Sequence, residues 1–197
     1  MIDTTYQKLM NSVLAKGYIW FTKPYDMNVI GIRSMSPRLD CFDDTLCVAY
    51  LDGLGHNRIV CMPCTTDPGL YYLEKPISPS GTAILKEGQY RGSHCIGLHK
   101  GYTALVQKKP VTVYRDANKD QALDLVGTPT ETGLFGINIH RALDNSIALT
   151  VNKFSAGCQV VQSPEDFAYL ISLIKRQKFQ IGSDVVSYTL INETDVR

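Results

Sequence analysis

Polar and apolar residues recur along this chain with two different periods, and the switches between them mark out its elements. Residues 4–16 set Tyr6, Leu9, Met10, Val13 and Leu14 on one side of a 3.6-residue repeat, which predicts an amphipathic helix stopped by Gly17. Short runs rich in β-branched and aromatic residues follow, YIWFT from 18, NVIGIR from 28, TLCVAYL from 45 and RIVCMP from 58, and each predicts a strand. Pro and Gly then punctuate TTDPG and EKPISPSG, a turn-rich connection. Strand-like runs resume with TAIL at 82, TALVQ at 103, VTVYR at 111 and GLFGINIH at 133. A helix over 164–177 has Ser163 as N-cap, Pro164 at its first position and Glu165 and Asp166 in its first turn, and VVSYTLI makes a last strand. The pattern is that of a mainly β chain of the α+β class with a helix at each end. It shows no repeat, low-complexity tract or linker, so residues 1–197 are expected to form one domain.

Composition narrows the function classes. With 44% hydrophobic residues the chain can bury a core without disulfides. Its 20 basic and 19 acidic residues nearly cancel, and no Lys/Arg stripe is interleaved with aromatics, so nucleic acid is not an expected partner. Lys175, Arg176 and Lys178 read as the solvated end of a helix, where positive charge suits the dipole. No apolar run approaches the roughly 20 residues of a membrane span, and MIDTTYQKLM lacks the layout of a secretory signal. Synthesis in the cytoplasm without membrane insertion is the expectation, with action elsewhere requiring a separate route of release.

Cysteines stand at 41, 47, 61, 64, 95 and 158. The irregular spacing and the missing signal point to reduced thiols and small buried hydrophobes. Cys61 and Cys64 have the spacing of half a zinc site, but Cys41 and Cys47, separated by five residues, make a poor second half. The same pair ends a strand and does not open a helix, which weakens a redox reading.

The chemistry concentrates in NIHRALDNSIALTVNKFSAGCQVV, residues 138–161. His140 ends the GLFGINIH run, where a side chain can leave the sheet, and Cys158 follows the small residues Ser155, Ala156 and Gly157. Such a turn can expose a thiol while backbone N–H groups converge on one point, the requirement of an oxyanion hole. A cysteine nucleophile needs a base, and an adjacent imidazolium favours thiolate near neutrality. Against this stands the buried small thiol and the histidine that merely caps a carbonyl. His99, in GSHCIGLHKGY, lies on a strand-like segment and is a candidate to bind a substrate carboxylate or assist the oxyanion, or else a structural histidine. His94 and His56 are expected to be exposed.

The order Ile-x-Ile-His140, then Ser155-x-Gly157-Cys158 and apolar residues, with 17 residues between His140 and Cys158, resembles the catalytic motif of the L,D-transpeptidase (YkuD-like) family. The order excludes papain-like peptidases, in which Cys precedes His. The resemblance implies a β-sandwich catalytic core with flanking helices over about residues 80–162, on which a strand-rich extension, 1–79, would pack. It implies Cys158 as nucleophile, His140 as base oriented by the carbonyl of Arg141, an oxyanion hole from the N–H groups of Gly157 and Cys158, and Ser155 shaping the turn and the substrate site. Peptidoglycan stem peptides would be the partner and no cofactor would be required. Ala156 stands where the family carries His, and Val160 where it carries Arg or Asn, so groups expected to bind substrate are missing. The landmarks TTDPG, GQYRGSHCIGLHKGY, KPVTVYRDANKD, GLFGINIHRA and SAGCQVV are also similar to those of small bacteriophage-encoded proteins. That resemblance implies a lytic enzyme of endolysin type, released to the wall or carried in a particle. It sets no oligomeric state.

A second constellation is Asp116, Asn118, Asp120 and Asp124 in YRDANKDQALD. Alternate oxygen-bearing residues match the first positions of a calcium loop, with the carbonyl of Ala122 at the seventh. Gln121 replaces the turn glycine and Gly127 stands where the bidentate Glu belongs, so the alternatives are a structural calcium site and an Asx-rich turn.

Overall fold

The computed structural model describes residue 2 and residues 4–196. Its first helix, α1 (Tyr6–Ala15), is capped by the Thr5 side chain, which accepts from Lys8 N. Strands β1 (Asn28–Arg33), β2 (Asp44–Leu51) and β3 (Asn57–Thr65) follow, then a short helix, α2 (Leu70–Glu74), inside the turn-rich connection. Next come β4 (Thr82–Leu85), β5 (Gly88–His99), β6 (Tyr102–Gln107), β7 (Val111–Asp116), β8 (Thr130–Gly133), β9 (Ile139–Arg141) and β10 (Gln159–Val161). Helix α3 (Pro164–Ile181) is capped by Ser163 and ends at Gly182, whose φ of 76° gives the left-handed stop, and β11 (Val186–Asn192) completes the sheet. The chain is thus mainly β with helices, an α+β architecture.

The larger sheet closes on itself as a barrel in the order β1, β11, β5, β6, β9, β10, β3, β2, while β4, β7 and β8 form a separate three-stranded sheet. Where a sandwich is expected, closure removes the open edges of the main sheet. Strands from 1–79 and from 80–162 are staves of this one barrel. β1 pairs with β2 on one side and, in parallel, with β11 on the other.

Alternation along β1 explains the two cores. Val29 points into the barrel with Leu46, Met62, Tyr188 and Leu190, and the apolar face of α3 joins this cluster through Phe167, Leu170 and Ile174. Ile30 and Ile32 point outward, where α1 and Trp20 cover them. Gly31 is the exception that lets the interior fill, because a Cβ there would lie 1.9 Å from the Tyr188 hydroxyl.

Four expectations need correction. YIWFT is not a strand: Ile19 exchanges hydrogen bonds with the Gln89 side chain and Phe21 N donates to Asn28 Oδ1, so side-chain amides replace a ladder. GLFGINIH is strand only at its ends, because Gly136 takes a φ of 73° and interrupts it. The C-terminal helix runs four residues further than 177, to Ile181. The cysteines are not all reduced: Cys47 and Cys61 face each other in the β2–β3 register with Cα atoms 4.1 Å apart and form a disulfide, while Cys41, Cys64, Cys95 and Cys158 are free thiols.

Candidate active site

A cleft of about 390 Å³ opens between the barrel and the small sheet. His99, Lys100, His140 and Cys158 line it from the barrel side, Thr82, Ala83 and Arg115 from the small sheet, and Ala156 and Lys153 from the loop before β10. The predicted nucleophile and base therefore share one cavity. β9 and β10 bring them there as parallel neighbours, with Gln159 opposite Ile139 and Val160 opposite His140.

Cys158 ends a turn that only glycine could make. Gly157 has a φ of 119°, and a Cβ on it would meet the carbonyl oxygen of Ala83 at 2.2 Å. Ser155 is fully buried and braces the turn from within: its hydroxyl donates to Cys158 O (2.8 Å) and accepts from Gly157 N (3.2 Å). This turns Ser155 away from the cleft, and it uses the Gly157 N–H that an oxyanion hole was expected to employ. Of the two departures from the family motif, Ala156 faces the cleft, whereas Val160 is buried in β10.

His140 is nearly enclosed, and its tautomer is fixed by its partners. Its Nδ1–H donates to the Arg141 carbonyl at 2.8 Å, and the Tyr102 hydroxyl donates to the same oxygen at 3.3 Å. Arg141 contributes through this carbonyl, while its guanidinium lies 4.0 Å from the centre of the Tyr102 ring. Nε2 of His140 is left with a lone pair, the state a general base requires. Burial first, and then His99, Lys100 and Arg141 nearby, hold the ring down to about 4, against the pull of the Arg141 carbonyl.

The thiol is shifted the opposite way. Burial pushes Cys158 above the usual thiol range, only partly offset by the Asn138 backbone N–H and by Lys100. Its Sγ–H donates to Gly136 O at 3.3 Å. Both shifts favour a neutral thiol beside a neutral imidazole over the thiolate–imidazolium pair expected near neutrality. The arrangement suits proton transfer at the moment of attack.

Three residues brace the cleft wall from behind, and sequence reasoning passed over Gln107 and Asn138 and misplaced His94. Gln107 Oε1 accepts from both Phe135 N (3.1 Å) and Ile137 N (2.9 Å), holding the irregular stretch across Gly136. His94, expected outside, is fully buried: its Nε2–H donates to Ile137 O at 2.8 Å, its Nδ1 meets Ser93 Oγ, and burial holds it down to about 4. Asn138 links Gln107 N to His99. A polar residue inside an apolar strand-like run was the only signal for Asn138. His56 is exposed, as expected.

A second polar centre lies behind the cleft. Arg33, buried at the end of β1, pairs with Asp67 (2.9 Å) and Glu87 (2.7 Å) and donates to Leu85 O. Asp44 accepts from Ser34 N, Thr66 N and the Thr66 hydroxyl. Gln159 connects the two centres, its Nε2 reaching Thr66 O (3.4 Å) and Gly157 O (3.3 Å) while its Oε1 accepts from Tyr188.

The acidic loop is self-satisfied. Asn118 Nδ2 donates to both Asp120 and Asp124, and Asp124 N donates to Asp116, the pattern of an Asx-rich turn. Among the described residues no group of three or more His, Cys, Asp or Glu is placed to hold a metal, and Cys61 is committed to its disulfide. No helix among them is long and apolar enough to cross a membrane.

No protein-family description, curated protein or solved structure matches the chain.

Proposed function

We propose that the protein is a cysteine-dependent acyl-transfer enzyme of the L,D-transpeptidase type that hydrolyses peptidoglycan stem peptides, as an L,D-endopeptidase or L,D-carboxypeptidase in lysis of phage type. The observation that carries this reading is a tautomer-locked His140 presenting a lone pair in the same cleft as Cys158. In this reading the thiol adds to a peptide carbonyl as its proton passes to His140 Nε2, and the leaving amine takes that proton back. The thioester then passes to water. The cleft walls carry Lys100, Arg115 and Lys153 and no carboxylate, which suits a stem peptide rich in carboxylate groups. Alanine at 156 leaves the loop side of the cleft without the imidazole a transpeptidase of the family would use, which favours water over an amine as acceptor.

A second reading, a wall-binding protein without turnover, is favoured by the Cys158 Sγ–H bond to Gly136 O in place of one to His140. Incubation of the protein with peptidoglycan fragments, read by mass spectrometry, separates the two. Loss of a terminal residue or a split cross-link, absent with Cys158→Ala, is the expected result. New cross-links, or exchange of an added D-amino acid into the stem, would make it a transpeptidase. Binding to sacculi with no product would select the second reading.

A further inference from the structure

We infer that His99, through its Nε2–H, is the side-chain donor that holds the oxyanion when Cys158 is acylated, an assignment that rests on the acyl-transfer reading above. A chain of hydrogen bonds fixes the tautomer of the His99 ring. The backbone N–H of Gln107 donates to Asn138 Oδ1 at 2.8 Å, which determines which end of that amide is oxygen. Asn138 Nδ2 is therefore the atom 3.0 Å from His99 Nδ1, and an amide nitrogen can only donate. Nδ1 of His99 accepts, so the ring proton of the neutral imidazole sits on Nε2. That atom is buried and has no hydrogen-bond partner, although His99 lines the cleft. A buried donor left unpaired is costly, and one kept at a reactive centre calls for a ligand oxygen.

The need for such a donor arises from the turn itself. Gly157 N–H is already given to Ser155 Oγ, so the turn has lost one of the two backbone donors expected of it. His99 stacks on His140 with ring centres 4.2 Å apart and planes 13° from parallel. The two imidazoles thus carry opposite valences side by side, a lone pair on His140 Nε2 and a proton on His99 Nε2. In the acylation step sulfur forms its bond to the carbonyl carbon, the carbonyl π pair moves to oxygen, and the thiol proton goes to His140. The oxyanion rests on His99 Nε2–H and on the Cys158 N–H. Collapse restores the carbonyl and expels the leaving group, which takes the proton from His140.

Two small reagents distinguish this role from simple packing. Nitrophenyl acetate acylates a thiol through a tetrahedral oxyanion, whereas iodoacetamide alkylates it by displacing iodide at a saturated carbon and forms none. His99→Phe keeps a ring against His140 and removes the donor. Its acylation of Cys158 by nitrophenyl acetate, followed as nitrophenolate release and by peptide mass, is expected to fall by about 10²- to 10³-fold. Its alkylation by iodoacetamide is expected to match that of the unsubstituted protein, and His99→Gln, which restores an N–H, to recover part of the lost acylation. Equal losses with both reagents, or no loss with either, would overturn the assignment while leaving Cys158 reactive and the acyl-transfer reading intact. Failure of the unsubstituted protein to acylate at Cys158 would overturn both.

Discussion

The cleft and the Arg33 centre are both polar and both shielded, yet they are built on opposite principles. Around Arg33 the cation is fully engaged: Asp67 and Glu87 flank the guanidinium, and Thr66 and Leu85 accept from its remaining donors. In the cleft His140 and His99 are left short of partners, with a lone pair on the first and an unpaired N–H on the second. A cation engaged on every side serves to hold the fold together, whereas groups with vacancies can take up a ligand.

The comparison is broken most severely by removing the cation. Arg33→Met strands the buried carboxylate of Asp67 and the half-buried one of Glu87, and the expected loss is about 3–5 kcal/mol of stability, measured by urea denaturation. A loss below about 1 kcal/mol would mean that the carboxylates take up protons instead, and the contrast between the centres would fail. The next effect falls on the turn. Gly157→Ala must escape both a left-handed φ and the Ala83 carbonyl, at a cost of about 1–3 kcal/mol. Because Cys158 follows directly, its reaction with nitrophenyl acetate is expected to disappear in that variant even where the fold survives.

The smallest effect is on pH dependence, where the two centres have opposite signs. Burial holds His140 and His94 down to about 4 from 6.5, so the stability they contribute is complete above 6.5 and is lost as pH falls through 4. Burial, and then the Asp67 carboxylate, push Asp44 up to about 7 from 3.8, so its contribution is complete below 3.8 and is lost as pH rises through 7. Denaturation midpoints are expected to decline on both sides of a maximum between these limits. His140→Gln is expected to flatten the acid side and leave the alkaline side unchanged.

Much of this was legible in the residue pattern. The amphipathic repeat at Tyr6, Leu9 and Val13 and the cap at Ser163 correspond to α1 and α3, because helix periodicity and capping are local properties. TAIL and VTVYR became β4 and β7 for the same reason. His140 and Cys158 were found from order and spacing, and they do share a cavity. What escaped depends on distant partners. Nothing near Arg33 in the sequence announces Asp67 or Glu87, and nothing near Cys47 announces that its cross-strand neighbour is Cys61. Ser155 looked like a substrate contact because its inward turn is decided by the Gly157 backbone, and His94 looked exposed because its carbonyl partner is 43 residues away at Ile137.

The parallel pairing of β1 with β11 sets a timetable for assembly. A ribosome delivers β1 long before β11, so one side of β1 stays unpaired until nearly all the other staves of the barrel have been made. Closure over so long a separation is slow compared with local contacts, and the waiting edge is exposed to other chains in the interval. Tyr188 of β11 also supplies the hydroxyl that anchors Gln159, and Gln159 in turn holds the carbonyl of Gly157. The turn at Gly157 is therefore among the last parts of the molecule to acquire its support, so a growing chain carries an unsupported Cys158 until the barrel seam has closed.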